Sequence, residues 1–288
     1  MIDHRDIDRL PTADGAAANA KSTRQIEALM KAVARAPRSL LMLDYDGTLA
    51  PFRLDPDEAL PYPDIAALLQ AIIRTGKTRV VIISGRQVED VIPLLGVTPQ
   101  PEIWGLHGLQ RLMPNGNVVM LPLEKRTIDA LATAETALRS EHLEHIAEFK
   151  AGSIAVHWRG RPEAEVAVLR SRVLLNWDPI AKNAGLHLLE FDGGLELCAS
   201  EADKGDAVRT VLKEMNPDIP AAYLGDDSTD ETAFEALEGH GLSVLVRPRW
   251  RSTAALVWLR PPDEILNFLT QWLEACRTNP QAMKRKLE

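Results

Sequence analysis

The stretch from Leu40 to Leu49 constrains the fold of this chain more than any other, because an apolar run ends abruptly in two carboxylates and a glycine. A short apolar run with a turn behind it is typical of a buried strand in a parallel sheet. Such sheets bind ligands at the carboxyl ends of their strands, where Asp44 and Asp46 stand. Carboxylates this close repel each other, and Mg²⁺, which prefers oxygen ligands, relieves the repulsion. An ordinary strand with a polar Asp-Gly turn is the alternative interpretation.

Alternating strand and helix signals surround this stretch. A tail over 1–20 and a helix over 22–36 precede the strand of Asp44. After a second helix, the run 79–83, which is apolar after Arg79, predicts another buried strand that ends in Ser84. This alternation favours an α/β fold whose core is a Rossmann-like parallel sheet covered by helices on both faces.

The alternation changes in the middle of the chain. Turn signals typical of antiparallel hairpins appear at 114–116 and within 187–198, with a strand predicted over 153–158 and helices over 124–145 and 162–179. We therefore predict a smaller α+β cap domain inserted into the core. The predicted divisions are an N-terminal tail and helix (1–37), a core in two parts (38–113 and 198–276), the cap (114–197) and a C-terminal tail (277–288).

Charge and cysteine content narrow the classes of function. The chain has 41 acidic and 33 basic side chains and a net charge of -8, which argues against a nucleic-acid partner. Two cysteines, Cys198 and Cys276, form no disulfide framework and fit a reducing compartment. No apolar run approaches the roughly 18 residues of a membrane span, and the first residues lack the apolar core of a signal peptide. We therefore expect a cytoplasmic protein with no membrane partner.

A second group of carboxylates follows another apolar strand, 221–224. Helix N-termini favour acidic residues, and this preference explains Asp230. It explains Asp226 and Asp227 less well, since they lie directly behind the strand. We therefore predict a Mg²⁺ site that Asp44 shares with this group.

Two further side chains stand where a phosphate would lie. Ser84 ends a strand and could donate a hydrogen bond to a phosphoryl group, although Ser-Gly is also a common turn. Lys204 opens a helix, where the helix dipole disfavours a cation unless the cation faces a phosphate or Asp44. In the predicted cap, four polar groups lie on or near strands and are either solvated or substrate contacts: Lys150, His157, Arg159 and Glu196.

The string Asp-x-Asp-Gly-Thr-Leu behind a strand resembles the first motif of the haloacid dehalogenase superfamily, whose members are mostly phosphohydrolases. The order Asp44-x-Asp46, Ser84, Lys204, Asp226-Asp227 resembles the four motifs of that superfamily. Within it, several strings resemble the trehalose-6-phosphate phosphatase family: DYDGTLAP at 44–51, SGR at 84–86, GLHG at 105–108, AVHWR at 155–159 and GDDSTDE at 225–231.

The resemblance implies a role for each matching residue. Asp44 would be the nucleophile and Asp46 the general acid and base, with Mg²⁺ on Asp44, Asp226 and the backbone carbonyl of Asp46. Ser84 and Lys204 would hold the phosphate. Candidate substrate contacts are Arg86, His107, Lys150, His157, Arg159 and Glu196. Two positions depart from the family pattern: Gln110 replaces a frequent glutamate, and Cys198-Ala199 replaces a basic residue and a proline.

The sequence thus predicts a Mg²⁺-dependent phosphatase that acts on trehalose 6-phosphate through an aspartyl-phosphate. A phosphatase of another sugar phosphate, a phosphomutase and a catalytically silent sugar-phosphate-binding module are the alternatives. No Walker loop and no Gly-x-Ser-x-Gly elbow occurs, which disfavours P-loop kinases and serine hydrolases.

Overall fold

The structure of the protein is a computed structural model that describes residues 13–53, 55–191 and 193–278. Of the predicted tails, 1–20 and 277–288, residues 1–12 and 279–288 lie outside the described residues. Helix α1 spans Ala13–Arg35, so the predicted tail is wrong from Ala13 onward. The physical reason is that stretch 13–20 is rich in alanine, the strongest helix former, and this outweighs its single glycine.

The remaining elements follow in three parts. The first part contains β1 (Ser39–Leu43), α2 (Ile65–Arg74), β2 (Thr78–Ile83), α3 (Val88–Leu95), β3 (Glu102–Gly105), β4 (Gln110–Leu112) and β5 (Val118–Met120). The middle part contains α4 (Lys125–Ser140), β6 (Ala147–Lys150), β7 (Ser153–His157), α5 (Glu163–Ala184), β8 (His187–Phe191) and β9 (Gly194–Cys198). The last part contains α6 (Lys204–Lys213), β10 (Ala221–Gly225), α7 (Glu231–Ala236), β11 (Leu242–Val246), β12 (Val257–Leu259) and α8 (Asp263–Arg277).

The larger sheet has eight strands in the order β12-β11-β10-β1-β2-β3-β4-β5. Pairing is parallel from β12 to β3 and antiparallel at β4 and β5, which confirms the predicted α/β class. Strand β1 lies between β10 and β2, with Leu41 opposite Ala222 and Val80. The carboxyl ends of these three strands therefore lie side by side.

The side chains of β1 alternate between two hydrophobic cores, as a strand buried on both faces requires. Leu41 and Leu43 belong to the core under α1, α2, α3 and α8. Leu40 and Met42 belong to the core under α6 and α7. Each such fully buried side chain contributes about 1.5–3 kcal/mol, so the central strand is firmly held. None of the helices in the described part of the chain is long and apolar enough to cross a membrane.

The second sheet has four antiparallel strands in the order β6-β7-β9-β8. One face packs on α4 and α5, with Val156, Leu197 and the fully buried Trp177 in its core. Because side chains alternate along a strand, the opposite face carries the polar residues Ser153 and Glu196. This polar face lies opposite the carboxyl ends of the larger sheet, since residues of both line one cleft.

Two details of the middle region differ from the sequence-based expectation. The predicted cap boundary at residue 114 falls inside the β4–β5 hairpin, and both strands of that hairpin belong to the larger sheet, with Arg111 opposite Val119. Strand β6 was not expected at all. Its sequence, Ala-Glu-Phe-Lys, is short and half polar, so it carries little strand signal until it pairs with β7.

Candidate active site

A cleft of about 750 Å³ lies between the two sheets and collects most of the predicted site residues. The core side contributes Asp44, Asp46, Arg86, His107, Lys204, Asp226 and Asp227, and the cap side contributes Lys150, His157, Arg159 and Glu196. Two predicted residues, Ser84 and Asp230, are buried behind the cleft surface. The Ser84 hydroxyl accepts a hydrogen bond from the backbone N–H of Arg86 at 3.1 Å.

Lys204 links the two carboxylate groups of the core. Its Nζ lies 2.7 Å from Asp44 Oδ1 and 2.7 Å from Asp230 Oδ1. A capping box between Asp203 and Asp206 holds the start of α6 and so places this lysine. Burial lowers the pKa of Lys204, but Asp230 and Asp44 outweigh burial and raise it above its ordinary value. The lysine is therefore a permanent positive charge beside Asp44.

Burial raises the pKa of Asp44 to about 7, with Lys204 opposing the shift and Asp230 adding to it. Burial likewise raises the pKa of Asp226 well above its ordinary value, and Asp44 and Asp230 raise it further. The three carboxylates each place an oxygen within 4.8 Å of the others. When all three are ionised, they exceed the Lys204 ammonium by two negative charges, which is the charge that a divalent cation neutralises.

The loop after β1 is shaped to let Asp226 approach. Gly47 has φ +80, and a Cβ at this position would lie 2.2 Å from Asp226 Oδ2. Only glycine tolerates both this backbone conformation and this contact. The carboxylate oxygens, and the space that Gly47 leaves for Asp226, fit a hard cation such as Mg²⁺.

Asp230 has a different part in the cluster, because protein groups already occupy both of its oxygens. Its Oδ1 accepts hydrogen bonds from Lys204 and from the Tyr223 hydroxyl at 2.5 Å. Its Oδ2 accepts from the backbone N–H groups of Asp226 and Asp227, at 2.9 and 3.0 Å. Asp230 thus shapes the loop that carries Asp226. The Asp227 carboxylate accepts from the Ser228 N–H and lies outside the group of three.

Asp46 is held by Arg86 in a two-pronged ion pair. Arg86 Nε lies 2.6 Å from Asp46 Oδ2, and Nη2 lies 2.7 Å from Oδ1. Arg86, expected from the sequence to contact the substrate, therefore contacts the predicted general acid in this conformation. Such a planar fork fixes the carboxylate in one orientation.

On the cap side, Glu196 is the centre of a buried network. Its carboxylate contacts Ser153 Oγ at 2.5 Å, His107 Nε2 at 3.1 Å and Lys150 Nζ at 3.4 Å. Burial alone would raise the pKa of Glu196, but Lys150 and His107 outweigh it and hold this pKa well below its usual range. His107 belongs to the core, and a Cβ at Gly85 would lie 2.6 Å from its ring. The network thus joins cap and core.

Arg159 makes a second junction between cap and core. Its guanidinium lies over the Phe52 ring at 4.5 Å and donates to the Arg53 carbonyl at 3.0 Å. His157, two residues earlier, lies 3.2 Å from Glu148 Oε2. Arg159 therefore brings the second sheet into contact with the segment after β1.

Four residues that contact the site's carboxylates or the loop of Asp226 were not predicted from the sequence: Tyr223, Ser153, Arg247 and Arg251. The two arginines follow the apolar strand β11, so the rule that found Asp44 and Asp226 would also have indicated them. Tyr223 and Ser153 carry no such signal, because each is a single polar group within a strand.

Comparison with known proteins gives concordant results. The family model described as trehalose-phosphatase matches residues 42–255. A trehalose-phosphate phosphatase of Mycobacterium ulcerans is 32% identical over 248 residues, covering 81% of this chain and 60% of the relative. One of Mycobacterium tuberculosis strain H37Rv is 29% identical over 263 residues, covering 86% of this chain and 64% of the relative. The chain thus spans under two thirds of the length of these relatives.

Solved structures show the same fold. The C-terminal domain of a C. albicans trehalose-6-phosphate phosphatase matches with a TM-score of 0.75 at 20% identity, over 86% of this chain and 96% of that one. A haloacid dehalogenase-like hydrolase from B. subtilis matches with a TM-score of 0.55 at 18% identity, over 81% and 99%. The haloacid dehalogenase-like fold predicted from the motifs is therefore confirmed.

Proposed function

The chain belongs to the trehalose-phosphatase family, as its motifs predict, and on this premise we propose that it hydrolyses trehalose 6-phosphate to trehalose and phosphate. The observation that carries the proposal is the position of Asp44. It lies on the cleft surface with Lys204 at 2.7 Å, faces a polar cap sheet, and shares its surroundings with Asp226.

Asp44 is the nucleophile in this proposal. Its carboxylate attacks the phosphorus, the bond from phosphorus to the sugar oxygen breaks, and an aspartyl-phosphate forms. Lys204 neutralises part of the charge that builds up when two anions meet. Thr48 donates a hydrogen bond from Oγ1 to Asp44 Oδ2 at 3.2 Å and helps to hold the carboxylate in place. Water then hydrolyses the aspartyl-phosphate and restores Asp44.

Asp46 handles the proton in both steps. It gives a proton to the leaving sugar oxygen and later takes one from the attacking water, a role worth about 10²–10⁴-fold in rate. Arg86 occupies both Asp46 oxygens in the present conformation, so one of these hydrogen bonds must open before Asp46 can carry a proton. We infer that substrate draws Arg86 toward its phosphate.

Mg²⁺ fits the core side of the site. Asp44, Asp226 and the backbone carbonyl of Asp46 would hold it, and when bound it supplies positive charge to the phosphate oxygens. Ser84 would contribute a hydroxyl to the phosphate. The remaining predicted ligands, Asp227 and Asp230, serve the loop rather than the ion in this arrangement.

The cap side suits a neutral sugar. Glu196, Lys150 and His107 form a network of donors and acceptors that can exchange partners with hydroxyl groups. His157 and Arg159 line the outer part of the cleft and extend this polar surface. A disaccharide between the two sheets would keep water from the reaction centre. The two cysteines, both buried and free, fit a cytoplasmic place of action.

A panel of sugar phosphates tests the proposal. Phosphate release from trehalose 6-phosphate, sucrose 6-phosphate, glucose 6-phosphate and glucose 1-phosphate is measured with Mg²⁺ at equal concentrations. The highest kcat/KM is expected for trehalose 6-phosphate. Equal rates across the panel would overturn the substrate but keep the chemistry, and transfer of phosphate back to sugar would identify a mutase. Tight binding without any release would identify a binding module.

A further inference from the structure

The loop after β11 carries three arginines, Arg247, Arg249 and Arg251, and two of them contact the backbone that presents Asp226. Arg251 donates from Nη2 to the Asp227 carbonyl at 2.7 Å and from Nε to the Asp226 carbonyl at 3.3 Å. Arg247 adds a hydrogen bond to the same Asp226 carbonyl at 3.2 Å. These carbonyls lie just beyond the end of β10, so no neighbouring strand pairs with them.

Arg251 is itself held in place by Glu231, the first residue of α7. The two side chains form an ion pair, and the Glu231 carboxylate also accepts from Thr253 Oγ1 at 2.9 Å and from the Ala254 N–H at 2.7 Å. The Arg251 side chain is only 23% exposed. A planar guanidinium with several satisfied donors has little freedom, so it can serve as a rigid support.

The backbone at Asp226 is therefore fixed from two sides. Asp230 accepts hydrogen bonds from the N–H groups of Asp226 and Asp227, and Arg251 donates to their carbonyls. With the peptide planes fixed, the Asp226 side chain leaves the backbone in one direction. That direction is toward Gly47 and Asp44.

Because Arg251 is positively charged, a role in holding the Asp226 backbone can be distinguished from a purely electrostatic effect on a cation site. A positive charge near a cation site opposes cation binding, so a purely electrostatic Arg251 would weaken the site. A supporting Arg251 would strengthen it through geometry. The two roles predict opposite signs for the effect of removing the side chain.

We propose that Arg251 is a positioning residue that orients Asp226 for divalent-cation binding by fixing the carbonyls of Asp226 and Asp227. The inference rests on the proposed Mg²⁺ site and deepens it. Replacement of a group that orients a metal ligand through hydrogen bonds typically weakens metal binding by about 10–100-fold.

The experiment is a Mn²⁺ titration of the substrate-free protein, in which electron paramagnetic resonance measures the concentration of free Mn²⁺. Arg251→Met should weaken Mn²⁺ binding about tenfold or more. Arg251→Lys keeps the charge but not the fork, and should also weaken binding. Arg249→Met is the matched control, because Arg249 is exposed on the same loop and its replacement removes the same charge. The Mn²⁺ affinity of Arg249→Met should stay within about twofold of that of the wild-type protein.

Thermal unfolding without metal separates affinity from folding, since a merely structural arginine would lower Tm while the folded fraction kept its Mn²⁺ affinity. Unchanged or tighter Mn²⁺ binding by Arg251→Met would overturn the inference while leaving the metal site intact. Absence of Mn²⁺ and Mg²⁺ binding by the wild-type protein would overturn the site and the inference together. If Arg251→Met does not fold, Arg251→Lys decides by the same criterion.

Discussion

Two buried carboxylates on opposite sides of the cleft, Asp226 in the core and Glu196 in the cap, have pKa shifts of opposite sign. Burial raises the pKa of Asp226, and the neighbouring Asp44 and Asp230 raise it further. Burial also acts to raise the pKa of Glu196, but Lys150 and His107 reverse the effect and lower it. The core side therefore disfavours the ionised form of a buried carboxylate, whereas the cap side favours it.

The difference shows what each side requires from outside the protein. The core brings together more carboxylates than the Lys204 ammonium can balance, so a divalent cation would complete it. On the cap side, the Lys150 ammonium balances the charge of Glu196, and the imidazole of His107 from the core and the Ser153 hydroxyl are its further hydrogen-bond partners. Oriented neutral networks of this kind suit sugar hydroxyls, whereas surplus charge suits Mg²⁺ and phosphate chemistry.

Replacement of the nucleophile should give the largest effect. Asp44→Asn should reduce phosphate release by at least about 10⁴-fold, because an amide is a poor nucleophile. The Tm of the metal-free protein should not fall at neutral pH, since burial raises the pKa of Asp44 to about 7 and Asp230 stays as the counterion of Lys204. Phosphate release under saturating trehalose 6-phosphate measures the first effect. Asp57→Asn, an exposed residue of the same cleft, is the control, and comparable loss in both variants would contradict the assignment.

In the cap, Glu196→Gln should destabilise the protein by about 3 kcal/mol, because it leaves the buried Lys150 with a weaker counterion. The free energy of unfolding in urea, measured at neutral pH with EDTA, checks this value. Glu190→Gln on the neighbouring strand β8 is the control, since its partner Arg170 is exposed and the change should cost about 0.5 kcal/mol or less. Equal costs for both variants would show that the cap network is not balanced as described.

In the core, Asp226→Asn should have the opposite sign and stabilise the metal-free protein by about 1 kcal/mol at neutral pH, because burial and the neighbouring Asp44 and Asp230 raise the pKa of Asp226 and so make its ionised form unfavourable in the folded state. The same variant should bind Mg²⁺ far more weakly. Urea unfolding with EDTA gives the first quantity, and isothermal titration with Mg²⁺ gives the second. Destabilisation of Asp226→Asn to the same extent as Glu196→Gln would break the contrast between the two sides.

The sequence predicts the core side of the cleft better than the cap side, and the reason is physical. Parallel strands bring their carboxyl ends to one edge, so Asp44, Ser84 and Asp226 could be placed together from strand signals alone. Their apolar strands are buried on both faces and are easy to recognise. The family resemblance then implied roles for these residues, which stay predictions until they are tested.

The cap side depends on pairings that leave little trace in the sequence. The four-residue strand β6 forms only because β7 pairs with it. Some contacts of the core side are equally hidden, because the ion pairs of Arg86 with Asp46 and of Arg251 with Glu231 join segments that local patterns cannot relate. Partner choice among charged side chains depends on tertiary structure, so no spacing rule could predict it.

The smallest predicted effect lies outside the cleft, at Glu214, which pairs with Arg111 and Arg79. Hydrogen bonding from Arg111 outweighs burial and, with Arg79, lowers the pKa of Glu214 from 4.5 to about 2. A carboxyl with a lower pKa in the folded state adds stability above its unfolded pKa and loses it as pH falls from about 4.5 toward 2. Glu214→Gln should therefore cost stability at pH 7 but little near pH 2.

The loss of stability in Glu214→Gln tests whether burial is the reason that the ion pairs of Glu196 contribute more than exposed ones. Glu214 is 37% exposed, so solvent screens its ion pairs, and its contribution should be about 1 kcal/mol or less despite ideal distances of 2.6 to 2.8 Å. Urea unfolding of wild type and Glu214→Gln at pH 7 and pH 2, in low and high salt, measures it. High salt should reduce the effect at Glu214 more than the effect at Glu196, since burial protects the latter from screening. A cost at Glu214 as large and as salt-resistant as that at Glu196 would mean that pairing geometry, rather than burial, determines the stability of both networks.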